Sequence, residues 1–184
     1  TTVHGRLDIP DLEPLLRRHP RYPLVSISEA QRAPLPDASW AGTVYHGYSA
    51  DQFQTGEGGD HLVFLGRMSP EKRPDRAIRI ALAAGRRIKL AAKVDPVDRA
   101  WFEREVAPLL EDPRVEHVGE IGEAEKSAFL GSAAGLLFPI DWPEPFGLVM
   151  IEALGYGTPV IGFDRGSVPE VITHGQNGFI VRTE

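Results

Sequence analysis

The feature that most constrains this sequence is an alternation. Short apolar runs recur along it, each followed by a longer stretch whose apolar residues fall at helical spacing. A run of four to six apolar residues suits a strand covered on both faces, and the amphipathic stretch after it suits a crossover helix. The repeated unit therefore predicts an α/β fold, a parallel sheet with helices packed on both sides. The runs place strands at Leu24–Ser28, Thr43–Tyr45, His61–Leu65, Ile88–Ala92, Val115–Val118, Gly135–Phe138, Pro159–Gly162 and Phe179–Val181, and Thr1–Val3 reads as the tail of one more.

Helices are expected in the gaps. A short one spans Asp11–Arg18. The next starts near Pro74, with Asp75 as its cap and Gly85 as its stop; Ala77, Ile78, Ala81 and Leu82 face inward, and Arg76 and Arg79 share the outer face. Asp95-Pro96 opens another, with Val97, Trp101, Phe102, Val106, Leu109 and Leu110 on one side, so its aromatics read as core. Glu123–Ser132 is a further helix. The last begins near Phe146-Gly147, carries Leu148, Ile151 and Leu154, and ends at Gly155 and Gly157. The polar, glycine-rich stretch Asp51–Asp60 is the expected domain boundary. It separates a partial α/β unit over residues 1–50 from the main unit over 51–184, which stops just after a strand.

Composition narrows the chemistry. The 184 residues contain no cysteine, which removes disulfides, thiolate catalysis and cysteine-type metal sites. No window approaches the apolar length of a membrane span, and the first residues lack the pattern of a signal peptide. A cytoplasmic location is expected, peripheral at the inner membrane face where the acceptor is a lipid. A net charge of −6 argues against general nucleic-acid binding. Within this acidic chain, the span from Gly66 to Lys93 holds nine basic residues against two acidic ones. That span is either a solvated basic helix face or a local anion site.

Ligands of open α/β sheets bind at the carboxyl ends of the strands, and three such loops stand out. In Gly66-Arg67-Met68-Ser69-Pro70-Glu71-Lys72, glycine permits close backbone approach. Arg67 offers a planar fork and Lys72 a compact charge to a diphosphate, without a P-loop pattern. In Trp142-Pro143-Glu144-Pro145-Phe146-Gly147-Leu148-Val149, two prolines hold Glu144 in a rigid, exposed turn. The helix that follows aims free N–H groups at an anion, and it carries Glu152 eight residues on. Carboxylates beside such a site suit sugar or ribose hydroxyls. In Val118-Gly119-Glu120-Ile121-Gly122, two glycines suit a tight turn against a flat base.

Read together, Gly66-Arg67 with Glu71-Lys72, Val118-Gly119, the Glu144-to-Glu152 pair, Gly157-Thr158-Pro159-Val160 and Gly166-Ser167-Val168-Pro169-Glu170-Val171-Ile172 resemble the family 4 glycosyltransferases, over roughly residues 42–182. The resemblance implies a Rossmann-like donor domain of the two-domain GT-B type, preceded by part of the acceptor-side domain. It implies a retaining, metal-independent transfer of sugar from a nucleotide-diphosphate donor, UDP- or GDP-type, with no cofactor. Arg67 and Lys72 then stabilise the departing diphosphate. Glu144 contacts the sugar and Glu152 the ribose, while the backbone at Phe146, Gly147, Leu148 and Val149 approaches sugar and phosphate. Gly66, Lys93, Gly119 and Ile121 border the nucleotide, and His4 touches the sugar from the opposite domain. No D-x-D pair for a bridging metal is present, since Asp8 with Asp11 and Asp95 with Asp98 are spaced otherwise. One departure is Arg73, where the family usually has a small residue such as glycine. Another is length: at about half the family's usual size, the acceptor pocket is expected to be mostly missing, so a missing N-terminal domain or a partner chain is implied. The alternatives are a non-catalytic nucleotide-sugar-binding fragment, or half of a split enzyme. A glycoside hydrolase using the two glutamates leaves the basic loop unexplained.

Overall fold

The computed structural model describes residues 1–182. Its larger sheet has six parallel strands: β3 (Leu62–Arg67), β4 (Ile88–Lys93), β5 (Val115–Gly119), β6 (Gly135–Phe138), β7 (Val160–Phe163) and β8 (Gly178–Val181), in the order β5-β4-β3-β6-β7-β8. A smaller sheet pairs β1 (Leu24–Ser26) with β2 (Trp40–Thr43), also parallel, and the predicted N-terminal strand tail contributes a single bridge from Thr2 to Val25. This is the Rossmann-like α/β architecture expected. The helices are α1 (Leu12–Arg18), α2 (Pro74–Ala83), α3 (Arg99–Glu105), α4 (Glu123–Gly131), α5 (Leu148–Gly155) and α6 (Val168–Val171).

The pleat of β3 explains why both faces need helices. Leu62 and Phe64 join one core with Ile78 and Ala81 of α2, while Val63 between them joins another with Leu130 of α4 and Met150 of α5. Every residue of β6 is buried. Central strands therefore read as continuous apolar runs rather than alternating ones.

Strand order reverses between β3 and β6. β3 pairs with β4 over six residues, from Leu62↔Ile88 to Arg67↔Lys93, but with β6 only at Leu62↔Gly135 and Val63↔Leu136. Beyond Val63 and Leu136 the two strands part, and a crevice opens at the topological switch point, the place where open α/β sheets bind ligands.

Several expectations are corrected. β3 and β4 each run past their predicted ends because they pair with each other, so Gly66, Arg67 and Lys93 lie in the ladder, not beyond it. β2, predicted at Thr43–Tyr45, lies earlier in the chain: it starts at Trp40 and stops at Thr43, set by its register with β1. Val97 is 86% exposed, since Pro96–Asp98 forms a 3-10 turn ahead of α3, whereas Trp101 and Phe102 do pack on the core. α6 was not anticipated as a helix. α5 starts at Leu148, beside its expected Phe146-Gly147 start; Leu148 is 42% exposed, while Met150 and Ala153 are the residues that α5 buries.

Helix α2 departs most informatively. Its cap is Arg73, in the left-handed region at φ 55°, the only non-glycine residue with positive φ among those described. This is why a glycine suits the position. Asp75 does not cap; it is 5% exposed and takes two hydrogen bonds from the Arg73 guanidinium, at 3.0 and 2.9 Å. Arg73 also reaches Asp141 at 3.0 Å, and its charge is held more firmly by these partners, the hydrogen bond to Asp75 foremost. Arg76, expected outside, lies over the Phe163 ring and near Asp141, while Arg79 is exposed as expected. Arg73→Gly should relieve roughly 1 kcal/mol of backbone strain yet strand the buried Asp75 carboxylate, a loss of about 1–3 kcal/mol. A lower urea midpoint for Arg73→Gly, with part of the loss recovered in Arg73→Gly/Asp75→Asn, is the expected outcome.

Candidate functional site

The crevice between β3 and β6 deepens into a cavity of about 540 Å³, within the usual range of small-molecule sites. Two loops make its walls. The first follows β3: Met68 is fully buried and its N–H bonds Lys93 O at 2.9 Å, which anchors the turn that carries Arg67 and Lys72 into the cavity. The second follows β6 and runs through Trp142, Glu144 and Phe146 to α5. Its carbonyls are taken up by protein neighbours. Ser167 N–H donates to Glu144 O at 3.0 Å, Ser28 Oγ to Pro145 O at 2.5 Å, and Ser167 Oγ to Phe146 O at 2.7 Å. Gly166, at φ 51°, passes so close that a Cβ there would lie 2.4 Å from Glu144 N. The loop is thereby fixed from two segments, Ser28 after β1 and Gly166-Ser167 ahead of α6. The N–H groups of Leu148 and Val149, which open α5 after Gly147 at φ 77°, have no intrahelical acceptors and lie at the cavity edge, while Met150 N–H already bonds Gly147 O at 2.9 Å.

Glu144 is 7% exposed, not the exposed turn residue the flanking prolines suggested. The prolines extend the backbone, but the carboxylate turns inward. Its Oε2 accepts from Lys72 Nζ and, at 2.9 Å, from Trp142 Nε1. Both donors meet the same oxygen, and among the described residues no hydrogen bond reaches Oε1. Arg67 is half exposed and pairs with Glu71. The rims of the two loops are tied together by Asp141 N–H to Glu71 O at 3.1 Å.

The residues singled out in the sequence converge on this place. Arg67, Lys72, Glu144, His4, Gly66, Phe146, Gly147, Leu148 and Val149 all line the cavity. Lys93 and Ile121 line a neighbouring cleft of about 330 Å³ that shares Leu65, Gly66 and Arg67 with it. Gly119 ends β5 at φ 82° beside that cleft without lining it. Glu152 lines neither. It is 5% exposed, and its Oε1 accepts from Tyr48 Oη at 2.7 Å and from Lys126 Nζ at 2.9 Å. Burial opposes the charge on Lys126, but hydrogen bonds from it to Glu123 and Glu152 prevail and raise its pKa. Burial, then the bond to Glu152, pushes the Tyr48 hydroxyl up to about 12.

Sequence reasoning missed Arg6 and His46 among the lining residues. Arg6 lies over the Trp142 ring at 5.1 Å, and Lys72 over the same ring at 4.8 Å. His46 meets His4 from the segment after β2. Arg6 directly follows His4-Gly5, which was a usable signal; His46 had none, because its place depends on where that segment crosses the main sheet. The basic span separates in space. Arg67 and Lys72 face the cavity, whereas Arg87, ahead of β4, pairs with Asp60 at 2.7 Å and Lys89 with Glu116 at 3.5 Å.

Comparison with known proteins bears on the family and the fold. The profile of the family described as "Glycosyl transferases group 1" matches residues 49–184. A Klebsiella pneumoniae protein described as an uncharacterized 41.2 kDa protein in the cps region is 31% identical over 130 residues, 67% of this chain and 33% of that one. A D-inositol 3-phosphate glycosyltransferase of Nocardia farcinica is 30% identical over 137 residues, 66% of this chain and 29% of its own. Among solved structures, AviGT4, a glycosyltransferase involved in avilamycin A biosynthesis, superposes with a TM-score of 0.70 at 27% identity, covering 86% of this chain and 49% of that one. Anabaena HepE, in complex with UDP and glucose, gives 0.82 at 19% identity over 98% and 56%. The chain thus spans about a third of these curated relatives and about half of these solved chains.

The contact between Tyr48 and Glu152 ties the segment after β2 to α5. Tyr48→Phe is expected to lower stability by about 1–2 kcal/mol at neutral pH. Because the folded-state pKa of Tyr48 is raised, its contribution is complete below pH 10 and lost as pH rises toward about 12. The gap between wild type and variant in urea unfolding should narrow over that window.

Proposed function

We propose that this chain, which belongs to the group 1 glycosyl transferases, binds a nucleotide-diphosphate sugar in the β3–β6 cavity and transfers the sugar with retention of configuration. The observation that carries this reading is the convergence of Arg67, Lys72 and the first turn of α5 on one cavity, with the Glu144 carboxylate beside them. Cleaving the bond between an anomeric carbon and a diphosphate leaves positive charge on the sugar and a dianion on the leaving group. Fixed positive charge aimed at that dianion is the largest contribution such a site can make. Arg67 supplies a fork and Lys72 a point charge, and the helix amides add their dipoles. On this reading the protein provides the charge itself and the reaction is metal-independent.

Glu144 keeps its place through Lys72 and Trp142, which leaves Oε1 for a sugar hydroxyl. Glu152 has the same form: Tyr48 and Lys126 both bind Oε1, and Oε2 remains for a ribose hydroxyl once Tyr48 yields room. The adjoining cleft by Lys93, Glu120 and Ile121 is the place for the base. Relatives' names fit donors of this kind, HepE being solved with UDP and with UDP-glucose. The family 4 assignment, a UDP- or GDP-type donor, no cofactor and a cytoplasmic setting belong to the same proposal. So does the division near residue 50, with residues 1–50 as part of an acceptor-side domain. The acceptor is not specified by the residues present.

The chain's share of its relatives' length favours a second reading, a nucleotide-sugar-binding unit that turns over only when joined to the rest of an acceptor domain. Calorimetric titration with UDP and GDP, followed by an assay of donor hydrolysis, separates the two: binding without turnover supports the unit. In the same titration Arg67→Ala and Lys72→Ala should each weaken nucleoside diphosphate binding by about 1.5–3 kcal/mol, roughly tenfold to a hundredfold. Unchanged affinity in both variants would remove the diphosphate assignment. Glu144→Gln should leave nucleoside diphosphate affinity near wild type and lower turnover or sugar discrimination.

A further inference from the structure

His46 sits where two units of the fold meet. It follows β2, on the segment that leaves the small sheet, and lines the cavity together with His4. The two imidazoles stack with centroids 5.2 Å apart and planes 24° from parallel, and His4 Nδ1 faces His46 Nε2 at 3.4 Å. The edge of Phe146 closes on His46 from the main sheet, at 5.0 Å and 79°. Phe146 is 3% exposed and its carbonyl is held by Ser167, so the ring that steadies His46 is itself fixed. Neither imidazole has another hydrogen bond among the described residues.

A nitrogen–nitrogen contact holds one proton. With a proton on neither atom two lone pairs face each other, and with one on each two N–H groups do. Burial, then the neighbouring His4, holds the His46 pKa below the ordinary histidine value, so His46 enters the contact neutral. A free neutral imidazole favours the tautomer protonated at Nε2. If His46 adopts it, His46 Nε2–H donates to His4 Nδ1, and His4 is then obliged to carry its own proton at Nε2, the same favoured tautomer. Both rings satisfy their intrinsic preference in this arrangement, which the reverse arrangement denies them.

We infer that His46 is a positioning residue that fixes His4 as the Nε2–H tautomer, so that His4 presents a hydrogen-bond donor to an oxygen of the sugar held in the cavity. The last clause rests on the donor reading above; the tautomer itself does not. His46 acts through His4 and through the Phe146 clamp, so a substitution that merely loosens packing has a different outcome from one that removes the nitrogen.

The test is nitrogen-15 NMR of the histidine side chains in the full chain, whose shifts separate protonated from bare ring nitrogens. Wild type should show His4 protonated at Nε2 and bare at Nδ1 near neutral pH. His46→Phe keeps a ring against Phe146 but removes the donor, and should return His4 to a mixture of tautomers. His46→Gln, whose amide can donate at a similar reach, should restore the wild-type pattern. In titrations, UDP-glucose should bind His46→Phe about threefold to tenfold more weakly than wild type, with UDP itself unaffected and His46→Gln recovering most of the loss. A His4 spectrum unchanged in His46→Phe, or a glutamine variant no better than phenylalanine, overturns the inference. If wild type binds neither UDP nor GDP, alone or as the glucose conjugate, the donor reading fails, and the spectra still decide the tautomer.

Discussion

Everything at the site depends on how briefly β3 and β6 stay together. Two residue pairs join them at the centre of the sheet, against six between β3 and β4. Past Val63 and Leu136 each backbone needs other partners. β3 finds them in β4 as far as Arg67, while β6 turns at Phe138 into the loop that carries Trp142 and Glu144. The gap between the two routes is the cavity. Because the strands leave it from a rigid, fully buried floor, the side chains around it are set by the sheet and not by the loops alone.

The charges around that gap are arranged in compensated pairs. Lys72 is matched to Glu144, Arg67 to Glu71, Lys126 to Glu152, and Arg73 to Asp75 and Asp141. Buried ions left single are costly, whereas paired ones leave part of each group available. Glu144 and Glu152 illustrate this, since in both one oxygen takes all the protein donors. At the cavity itself, Lys72, Arg67 and Glu144 are held in place by these pairings and by Trp142. The small sheet takes part in the same scheme. Ser28 holds the Pro145 carbonyl, Tyr48 holds Glu152, and Glu170 of α6 accepts from the backbone N–H groups of Glu29 and Ala30 at 2.7 Å.

The sequence was most legible where one residue must satisfy one local demand. The central strands β3 and β6 were readable because a strand covered on both faces is apolar throughout, and the edge strands because they kept short apolar runs between helical stretches. Arg67, Lys72 and the Phe146–Val149 turn were readable because they sit at strand ends. The misreadings share a cause. Asp75 resembled a cap until the left-handed Arg73 took that place, and Glu144 seemed exposed until Lys72, 72 residues earlier in the chain, drew it inward. Val97 and Leu148 fit helical spacing, but Val97 lies in a 3-10 turn and Leu148 on the outer side of the first turn of α5.

By itself, then, the sequence determined the alternation of strand and helix, the strand ends at which chemistry is placed and the kind of groups found there, because period and side-chain type are properties of short segments. Tertiary structure alone decided that β3 and β6 separate, that the Glu144 carboxylate faces Lys72 and Trp142, that Tyr48 reaches Glu152 and that His46 meets His4. Those facts are contacts between segments far apart in the chain. Their geometry follows from strand order and register, which no local pattern carries.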